Sequence, residues 1–331
     1  MAEIIGIIGD GAMATVCAVL LADKGHRMRL FSMFAEHLAE MTAERENRRY
    51  LPGLRIPDAV ELTGDVAAAV DGATLIVSAM PCQFIRAWWG PITSSVPRDV
   101  PICSITKGIE NDTLLRPSQV LRDVLGPVPV AALSGPNIGP ELAHRLPATA
   151  VVASEDEELA GFVQRTFATD WFRVYTNTDL LGVELAGATK NVIALAAGTV
   201  DGLGIGHNAK AALVTRGLAE ITRLGLAMGA RRETFAGLAG LGDLVTTCTS
   251  PVGRNRSAGE RIGRGETLAQ ILETTDSVVE GVATTRSVLQ LARKHGVEMP
   301  ITAAIHAVLF EGRGVTDAIT DLMRRELRSE D

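Results

Sequence analysis

The sequence predicts an α/β protein, with an N-terminal doubly wound sheet domain followed by an all-α C-terminal domain. Three observations support this fold class. Short apolar runs alternate with helical patterns from residue 4 to about residue 177, which is typical of a mainly parallel sheet. A glycine-rich turn follows the first apolar run. Beyond residue 177 only helical periodicity remains. We therefore expect a first domain over 1–178 and a second over 179–331.

Composition and charge narrow the class of protein. The chain has 331 residues, 47% hydrophobic and 21% charged, which suits a globular protein with a sizeable core. Its net charge of −7, without a long basic block, argues against nucleic acid as a partner. The four cysteines are scattered, so we expect no disulfide framework, no metal site and a reducing, cytoplasmic location. The longest apolar run carries Glu184 and Lys190, so no membrane insertion is expected.

The chain opens with a βαβ unit. A short apolar strand leads into a glycine turn, a helix ends at Gly25, and Arg27–Phe31 forms a second strand. The turn matches G-x-G-x-x-A, in which the first glycine makes the turn, the second admits a pyrophosphate and the alanine keeps the helix close to the strand. This pattern predicts a Rossmann-like dinucleotide site. Its candidate cofactor-binding residues are Gly9, Gly11, Ala12, Met13 and Ala14.

The choice between NAD and NADP is not readable from this unit. Asp10 puts a carboxylate in the phosphate turn, where it would repel a pyrophosphate unless it points outward. The end of the second strand, Phe31 to Phe34, offers neither an acid for a ribose hydroxyl nor an arginine for a 2′-phosphate. Glu36 and His37 lie slightly further on. The cofactor is therefore expected to be NAD or NADP.

Strands and helices continue to alternate. We expect a helix over 35–49 and a loop within 46–57. Further strands are predicted at 59–62, 74–79, 101–106, 128–133, 149–153 and 171–175. Because ligands of such sheets bind beyond the carboxyl ends of strands, the stretches 79–83, 106–110 and 134–137 are candidates. Lys107 lies in one of them and is a natural contact for an anion, although lysines after strands are common.

The second domain begins with a long helical pattern over 182–220, interrupted by the glycines of 202–206. Lys190 lies within its almost wholly apolar first half, on a face of small residues that would let backbone or a ligand approach closely. Burying an ammonium costs several kcal/mol unless it is paired. Lys190 is therefore either a structural lysine, paired or reaching water, or a functional group.

Two later stretches carry further polar candidates. Asp243 lies in a glycine-rich segment, and Arg254 with Asn255 follows a turn at Gly253. A guanidinium beside an amide suits a phosphate or a carboxylate, with a solvated basic loop as the alternative. Glu280 is a lone acid in a segment that includes Val278 and by itself indicates little.

Taken together, these motifs resemble the bacterial NAD(P)-dependent glycerol-3-phosphate dehydrogenases. The segments 182–220 and 237–256 carry the resemblance, and NRRYLPG, TKGIE, LSGP and SVVEGVATT occur in the same order. The resemblance implies hydride transfer between NAD(P)H and dihydroxyacetone phosphate, giving sn-glycerol 3-phosphate for phospholipid synthesis. It also implies a cytoplasmic homodimer, with Lys190 as proton donor and acceptor. The implied substrate contacts are Lys107, Gly135, Asn137, Asp243, Gly253, Arg254 and Asn255. The implied cofactor contacts are the turn from Gly9 to Ala14, Lys107, Gly139, Arg254, Val278 and Glu280.

The chain departs from this family around the cofactor and the substrate phosphate. The turn lacks the family's serine, tryptophan and third glycine, and Met33 replaces an arginine. Asn137 and Ile138 replace a hydroxyl residue and a phenylalanine, and Gly253 replaces a serine. Two alternatives therefore remain open: a 3-hydroxy-acid-type dehydrogenase of similar two-domain plan, or a non-catalytic homologue with weakened cofactor binding.

Overall fold

The computed structural model describes residues 2–275, 277–327 and 329, so residues 1, 276, 328, 330 and 331 of the expected domains lie outside it. The chain divides into two compact units. The first comprises the chain up to Glu110 together with Leu115–Glu184, and the second comprises Asn111–Leu114 together with the chain from Leu185 onward. This division falls inside a helix, and the boundary between 178 and 179 stays a prediction.

The first unit is built on an eight-stranded sheet. Its strand order is β10-β9-β8-β7-β6-β1-β2-β5, and β3 and β4 form a separate antiparallel pair. The central strands are apolar and buried on both faces, as expected of a sheet covered by helices on each side. The strands are β1 Ile4–Ile8, β2 Arg27–Phe31, β3 Glu46–Asn47, β4 Leu51–Arg55, β5 Val60–Thr63, β6 Leu75–Ser78, β7 Ile102–Ser104, β8 Val130–Ser134, β9 Ala148–Ala153 and β10 Phe172–Asn177.

Seven helices belong to the first unit. The helix after the glycine turn ends at Asp23, one residue before its cap, and Gly25 follows with a positive φ of 83°. The predicted βαβ unit is therefore confirmed. The helices are α1 Ala12–Asp23, α2 Ala35–Glu44, α3 Val66–Val70, α4 Ile85–Ile92, α5 Pro117–Leu125, α6 Gly139–Ala143 and α7 Glu157–Phe167.

Two local expectations were wrong. The helix predicted over 35–49 ends at Glu44, because Arg45 adopts a left-handed conformation with φ 50°, which an α-helix cannot continue through. The predicted loop over 46–57 instead contains the β3–β4 pair.

One strand pairing departs from the mainly parallel pattern. β8 pairs antiparallel with β9, whereas β9 and β10 run parallel to each other. Only the five-residue helix α6 lies between β8 and β9, and it is too short to carry the chain back along the sheet to start a parallel strand. The eleven-residue α7 makes that return between β9 and β10.

After β10, the described residues form helices joined by loops and turns and contain no strand, as the sequence predicted. The long pattern over 182–220 forms two helices, separated where Gly204 and Gly206 adopt positive φ values of 67° and 93°. The helices are α8 Leu180–Leu203, α9 His207–Ala227, α10 Arg232–Ala236, α11 Asp243–Thr249, α12 Arg254–Gly263, α13 Leu268–Glu273, α14 Glu280–Lys294, α15 Pro300–Phe310 and α16 Val315–Met323. A π-helical turn, Leu238–Gly242, precedes α11.

Helix α8 is long and apolar enough, by length and composition alone, to cross a membrane. However, 94% of its most apolar window is buried inside the protein, as in a core helix.

Glu184 shows how this helix accommodates a charge. Its carboxylate accepts hydrogen bonds from the Ser118 backbone N–H at 2.7 Å and from the Arg116 guanidinium, and burial raises its pKa.

In the second unit, α8 and α12 approach backbone to backbone through glycines. A Cβ on Gly198 would lie 1.9 Å from the Arg256 carbonyl oxygen, and one on Gly259 would lie 2.0 Å from the Leu195 carbonyl oxygen. This close approach lies on the face of Leu195 and Gly198, beside the Lys190 face on which the sequence predicted it. This contact fixes the start of α12 against the helix that carries Lys190.

Candidate active site

The glycine turn leaves an open helix N-terminus. Gly9 has φ 127°, and a Cβ there would lie 2.5 Å from the Ala79 carbonyl oxygen, so only glycine fits. Gly11 caps α1 without a side-chain hydrogen bond, and a Cβ there would meet nothing within 4 Å. Since α1 has no acid in its first turn, its unpaired N–H groups suit the pyrophosphate of a dinucleotide.

The other predicted cofactor residues of the first unit lie around this turn. Ala14 is fully buried against the sheet. Gly139, the first residue of α6, comes close to α1: a Cβ there would lie 3.8 Å from the Met13 sulfur and 4.0 Å from the Ala12 Cβ. The turn therefore brings Ala12, Met13 and Gly139 together, and their roles toward a cofactor stay predictions.

Asp10 turns away from the helix N-terminus. It is only 5% exposed, and its Oδ2 accepts a 2.5 Å hydrogen bond from the hydroxyl of Ser32, the first residue after β2. Asn47 donates its amide to the Asp10 carbonyl oxygen at 2.8 Å and so fixes the same turn. The expected conflict between this carboxylate and a pyrophosphate is therefore avoided by its orientation.

At the carboxyl ends of β7 and β8, the structure brings three predicted residues into one neighbourhood. Lys107 Nζ donates to the Gly135 carbonyl oxygen at 2.9 Å. Gly135 has φ 133° and packs against β9. A Cβ added to Gly135 would lie 3.1 Å from the Ala150 Cα. The Asn137 amide nitrogen, oriented to donate, lies 3.1 Å from the Pro136 carbonyl oxygen and 3.2 Å from that of Thr149. An ammonium thus lies beside the loop after β8, where an anion would be attracted.

In the second unit, Lys190 forms a buried polar centre. Its side chain is 7% exposed, and its Nζ donates to Asp243 Oδ1 at 2.6 Å and to the hydroxyl of Thr247. Thr247 donates in turn to Asp243 Oδ1 at 3.2 Å. Asp243 and Thr247 lie one turn apart at the start of α11, which aligns both with Lys190. A buried, oriented ammonium of this kind is suited to exchange a proton with a ligand.

The start of α12 holds the next predicted residues. Gly253 is its N-cap, and Arg254 is exposed and lines a cavity with Ser257, Arg261 and Val279. Asn255 is buried, and its Oδ1 accepts a 2.9 Å hydrogen bond from the Gly281 N–H at the start of α14. The amide oxygen of Asn255 is thus committed to the fold, while Arg254 faces the cavity.

The remaining candidates lie near α14. Glu280 is the first residue of that helix, and Val278, two residues earlier, is 38% exposed. Arg256 differs from Arg254, since it forms ion pairs with Asp201 at 2.8 Å and Glu260 at 3.0 Å. Of these two arginines, Arg256 is held in ion pairs within the fold, whereas Arg254 lines the cavity.

All four cysteines are buried and none forms a disulfide. Burial raises the pKa of the Cys17 and Cys248 thiols to about 12, so these two are poor nucleophiles at neutral pH. Among the residues that the structure describes, no group of three or more His, Cys, Asp or Glu side chains could hold a metal ion.

Sequence reasoning missed two functional candidates. Thr247 follows Asp243 by four residues, and that helical spacing was the available signal. Ser32 lies at a strand end that offers no acid, and its pairing with Asp10 has no local sequence signature.

Comparison with known proteins identifies the family. Residues 4–160 match the family model for the N-terminus of NAD-dependent glycerol-3-phosphate dehydrogenase, and residues 179–320 match the model for its C-terminus. A relative from Citrifermentans bemidjiense named glycerol-3-phosphate dehydrogenase (NAD(P)+) is 46% identical over 333 residues, covering 100% of this chain and 99% of the relative. A crystal structure of glycerol-3-phosphate dehydrogenase from Coxiella burnetii is 37% identical, covers 98% of this chain and 99% of that chain, and superimposes with a TM-score of 0.94.

The dinucleotide turn, the helical second unit and these matches define the class as an NAD(P)-dependent oxidoreductase. More specifically, the chain belongs to the NAD-dependent glycerol-3-phosphate dehydrogenase family, as the sequence motifs had implied.

Proposed function

We propose that this chain reduces dihydroxyacetone phosphate to sn-glycerol 3-phosphate with NAD(P)H, and that Lys190 is its proton donor and acceptor. The observation that carries the proposal is the buried Lys190–Asp243–Thr247 centre within the part of the chain matched by the family's C-terminal model. When bound, the reduced nicotinamide supplies the hydride that C2 of the substrate accepts.

Lys190 provides the proton that balances the reduction. Its Nζ donates to the carbonyl oxygen as negative charge develops there, so that the C=O bond becomes a C–OH group. The Asp243 carboxylate, 2.6 Å away, stabilises the ammonium form before transfer, and Thr247 fixes its direction. In the oxidative direction, neutral Lys190 takes the hydroxyl proton back. Thr247 and Asp243 thus act on the reaction through Lys190.

The substrate's phosphate requires cations and N–H donors. Arg254 and the N-terminus of α12, capped by Gly253 without a side-chain hydrogen bond, offer both in the second unit. Asn255 is proposed to contact substrate through its amide nitrogen, because its oxygen accepts from Gly281. In the first unit, Lys107, Gly135 and Asn137 are proposed as further substrate contacts.

The cofactor would be held by the turn from Gly9 to Ala14, whose fit to a pyrophosphate rests on the open N-terminus of α1. Gly139, beside Met13, would contact the same group. Lys107, Arg254, Val278 and Glu280 are proposed as additional cofactor contacts. We also propose that the enzyme is a cytoplasmic homodimer and that its product, sn-glycerol 3-phosphate, supplies phospholipid synthesis.

Kinetics of Lys190→Met test the catalytic role. The value of kcat/KM for dihydroxyacetone phosphate should fall at least about 100-fold, because general acid–base catalysis contributes roughly 10²–10⁴-fold. NADH binding, followed by nicotinamide fluorescence, should change little. Lys294→Met, an exposed lysine in the last turn of α14, is the matched control and should keep wild-type rates.

Thermal melting shows whether Lys190→Met is folded. A folded Lys190→Met enzyme that keeps more than about a tenth of the wild-type rate would contradict the role of Lys190 as proton donor. Substrate profiling separates the alternatives. Activity on 3-hydroxy acids without activity on dihydroxyacetone phosphate would favour the other dehydrogenase class, and binding of neither nucleotide would favour a non-catalytic homologue.

A further inference from the structure

The glycine turn carries a carboxylate that the proposed reaction does not use. Ile8 and Phe31 are register partners at the ends of neighbouring parallel strands, and the Gly9 N–H donates to the Phe31 carbonyl oxygen at 3.2 Å. Asp10 and Ser32 immediately follow this paired end. Their 2.5 Å hydrogen bond therefore places an acid from the β1 turn at the carboxyl end of β2.

The end of β2 is the position that reads the cofactor's adenine ribose in dinucleotide-binding sheets. An acid there accepts a hydrogen bond from the ribose 2′-hydroxyl of NAD, whereas an arginine accommodates the 2′-phosphate of NADP. β2 of this chain ends at Phe31 and is followed by Ser32 and Met33, so it brings no acid of its own. Asp10 reaches the same place from the neighbouring strand.

The orientation of Asp10 is firmly held. Ser32 is 1% exposed, its Oγ accepts from the Phe34 N–H at 3.2 Å, and its hydroxyl donates to Asp10 Oδ2. Within the described part of the chain, Ser32 is the hydrogen-bond partner of the carboxylate, and Oδ1 accepts from no other group. That oxygen remains available to a ribose hydroxyl.

We infer that Asp10, positioned by Ser32, makes this enzyme select NADH over NADPH. The inference rests on the cofactor of the proposed function and adds which of the two nucleotides is used. One carboxylate oxygen accepts the 2′-hydroxyl of NADH, and the same charge repels the 2′-phosphate of NADPH.

The charges around this position support that selection. Arg48, which follows the Asn47 that contacts the Asp10 backbone, forms ion pairs with Glu44 at 2.9 Å and with Glu46 at 3.8 Å. Arg49 lies over the Tyr50 ring, 5.2 Å from its centroid. Met33 occupies the place where a phosphate-binding arginine would be useful.

Fluorescence titration of the substrate-free enzyme with NADH and with NADPH tests the inference. The wild type should bind NADH at least about tenfold more tightly, the effect of one charge-assisted hydrogen bond. Asp10→Asn keeps the shape and removes the charge, so the ratio of the two dissociation constants should fall about tenfold. Ser32→Ala should lower the ratio as well, because it releases the carboxylate. Glu36→Gln is the matched control and should leave the ratio within about twofold of wild type.

Three results would overturn the inference: wild-type binding of NADPH as tight as that of NADH, an equal loss of both nucleotides in folded Asp10→Asn, or an equal change of the ratio in Glu36→Gln. Thermal melts establish whether each variant is folded. If Asp10→Asn does not fold, Ser32→Ala still tests the inference. Selective NADH binding without reduction of dihydroxyacetone phosphate would refute the proposed substrate and leave this inference standing.

Discussion

The glycine contact between α8 and α12 predicts that Gly259→Ala damages both stability and catalysis. An added Cβ would lie 2.0 Å from the Leu195 carbonyl oxygen and 3.0 Å from the Thr199 nitrogen. Both are backbone atoms of α8, so no side chain can rotate away. Because Cβ atoms essentially never approach closer than 3.0 Å to another heavy atom, the helices must separate by about 1 Å.

The expected magnitude combines two opposing terms. Overpacking of this kind typically costs about 1–3 kcal/mol, and a contact with rigid backbone falls at the upper end. Alanine regains up to about 1 kcal/mol of helix propensity over glycine. We therefore expect the free energy of unfolding to fall by about 2 kcal/mol.

Catalysis should suffer through the start of α12. Asn255 is fixed there by its hydrogen bond from Gly281, and a Cβ on Gly281 would itself lie 2.7 Å from the Asn191 carbonyl oxygen, next to Lys190. A displacement of about 1 Å in a positioning element can lower the rate about 100-fold. Urea denaturation gives the stability change, and steady-state reduction of dihydroxyacetone phosphate gives kcat/KM.

Gly161→Ala in α7 is the matched control. Its Cβ would meet only the tip of the flexible Arg165 side chain, at 3.1 Å, so this variant should be at least as stable as wild type. If Gly259→Ala were as stable as Gly161→Ala and kept kcat/KM within about threefold of wild type, the backbone contact would not be what positions α12.

Two further predictions concern single side chains. Thr247→Val removes the hydroxyl that accepts from Lys190, so kcat for dihydroxyacetone phosphate reduction should fall about tenfold with little change in KM. An unchanged kcat would show that Asp243 alone orients the ammonium. Glu220 caps the start of α15 by accepting from the Ile301 and Thr302 N–H groups, and burial raises its pKa to about 7. The folded state thus holds this proton to higher pH than the unfolded chain, so its stabilising contribution is complete below about pH 4.5 and is lost as pH rises through about 7, up to about 3 kcal/mol. Urea denaturation from pH 5 to pH 8 should show this slope in wild type and a flatter profile in Glu220→Gln; equal slopes would contradict the assignment.

Much of the fold was predictable because its signals are local. The β1 and β2 strands, the glycine turn and the break between α8 and α9 follow from hydrophobic periodicity and from glycines that adopt positive φ. The helix over 35–49 was overextended, because nothing in the sequence marks Arg45 as left-handed. The antiparallel pairing of β9 was missed, because pairing depends on which strand the chain meets after α6.

Some residues of the candidate site were likewise predictable from local sequence, whereas their partners were not. Lys190 stood out because a lysine in an apolar helix must be paired or functional. Asp243 and Thr247, which accept hydrogen bonds from it, lie 53 and 57 residues further along the chain, so only the packing of α11 against α8 could identify them. The division between Arg254 and Arg256 likewise depends on Asp201, more than fifty residues earlier.

The sequence by itself determined the order of the elements, the dinucleotide turn and the family, because periodicity, turn chemistry and long motifs reside in contiguous residues. Only the tertiary structure decided where the charges point. The sequence places Asp10 inside a phosphate turn, yet its carboxylate faces Ser32, and Lys190 donates to both Asp243 and Thr247. Such pairings join residues that are distant in the chain, and a side chain's direction is set by the partners that satisfy it when it is buried.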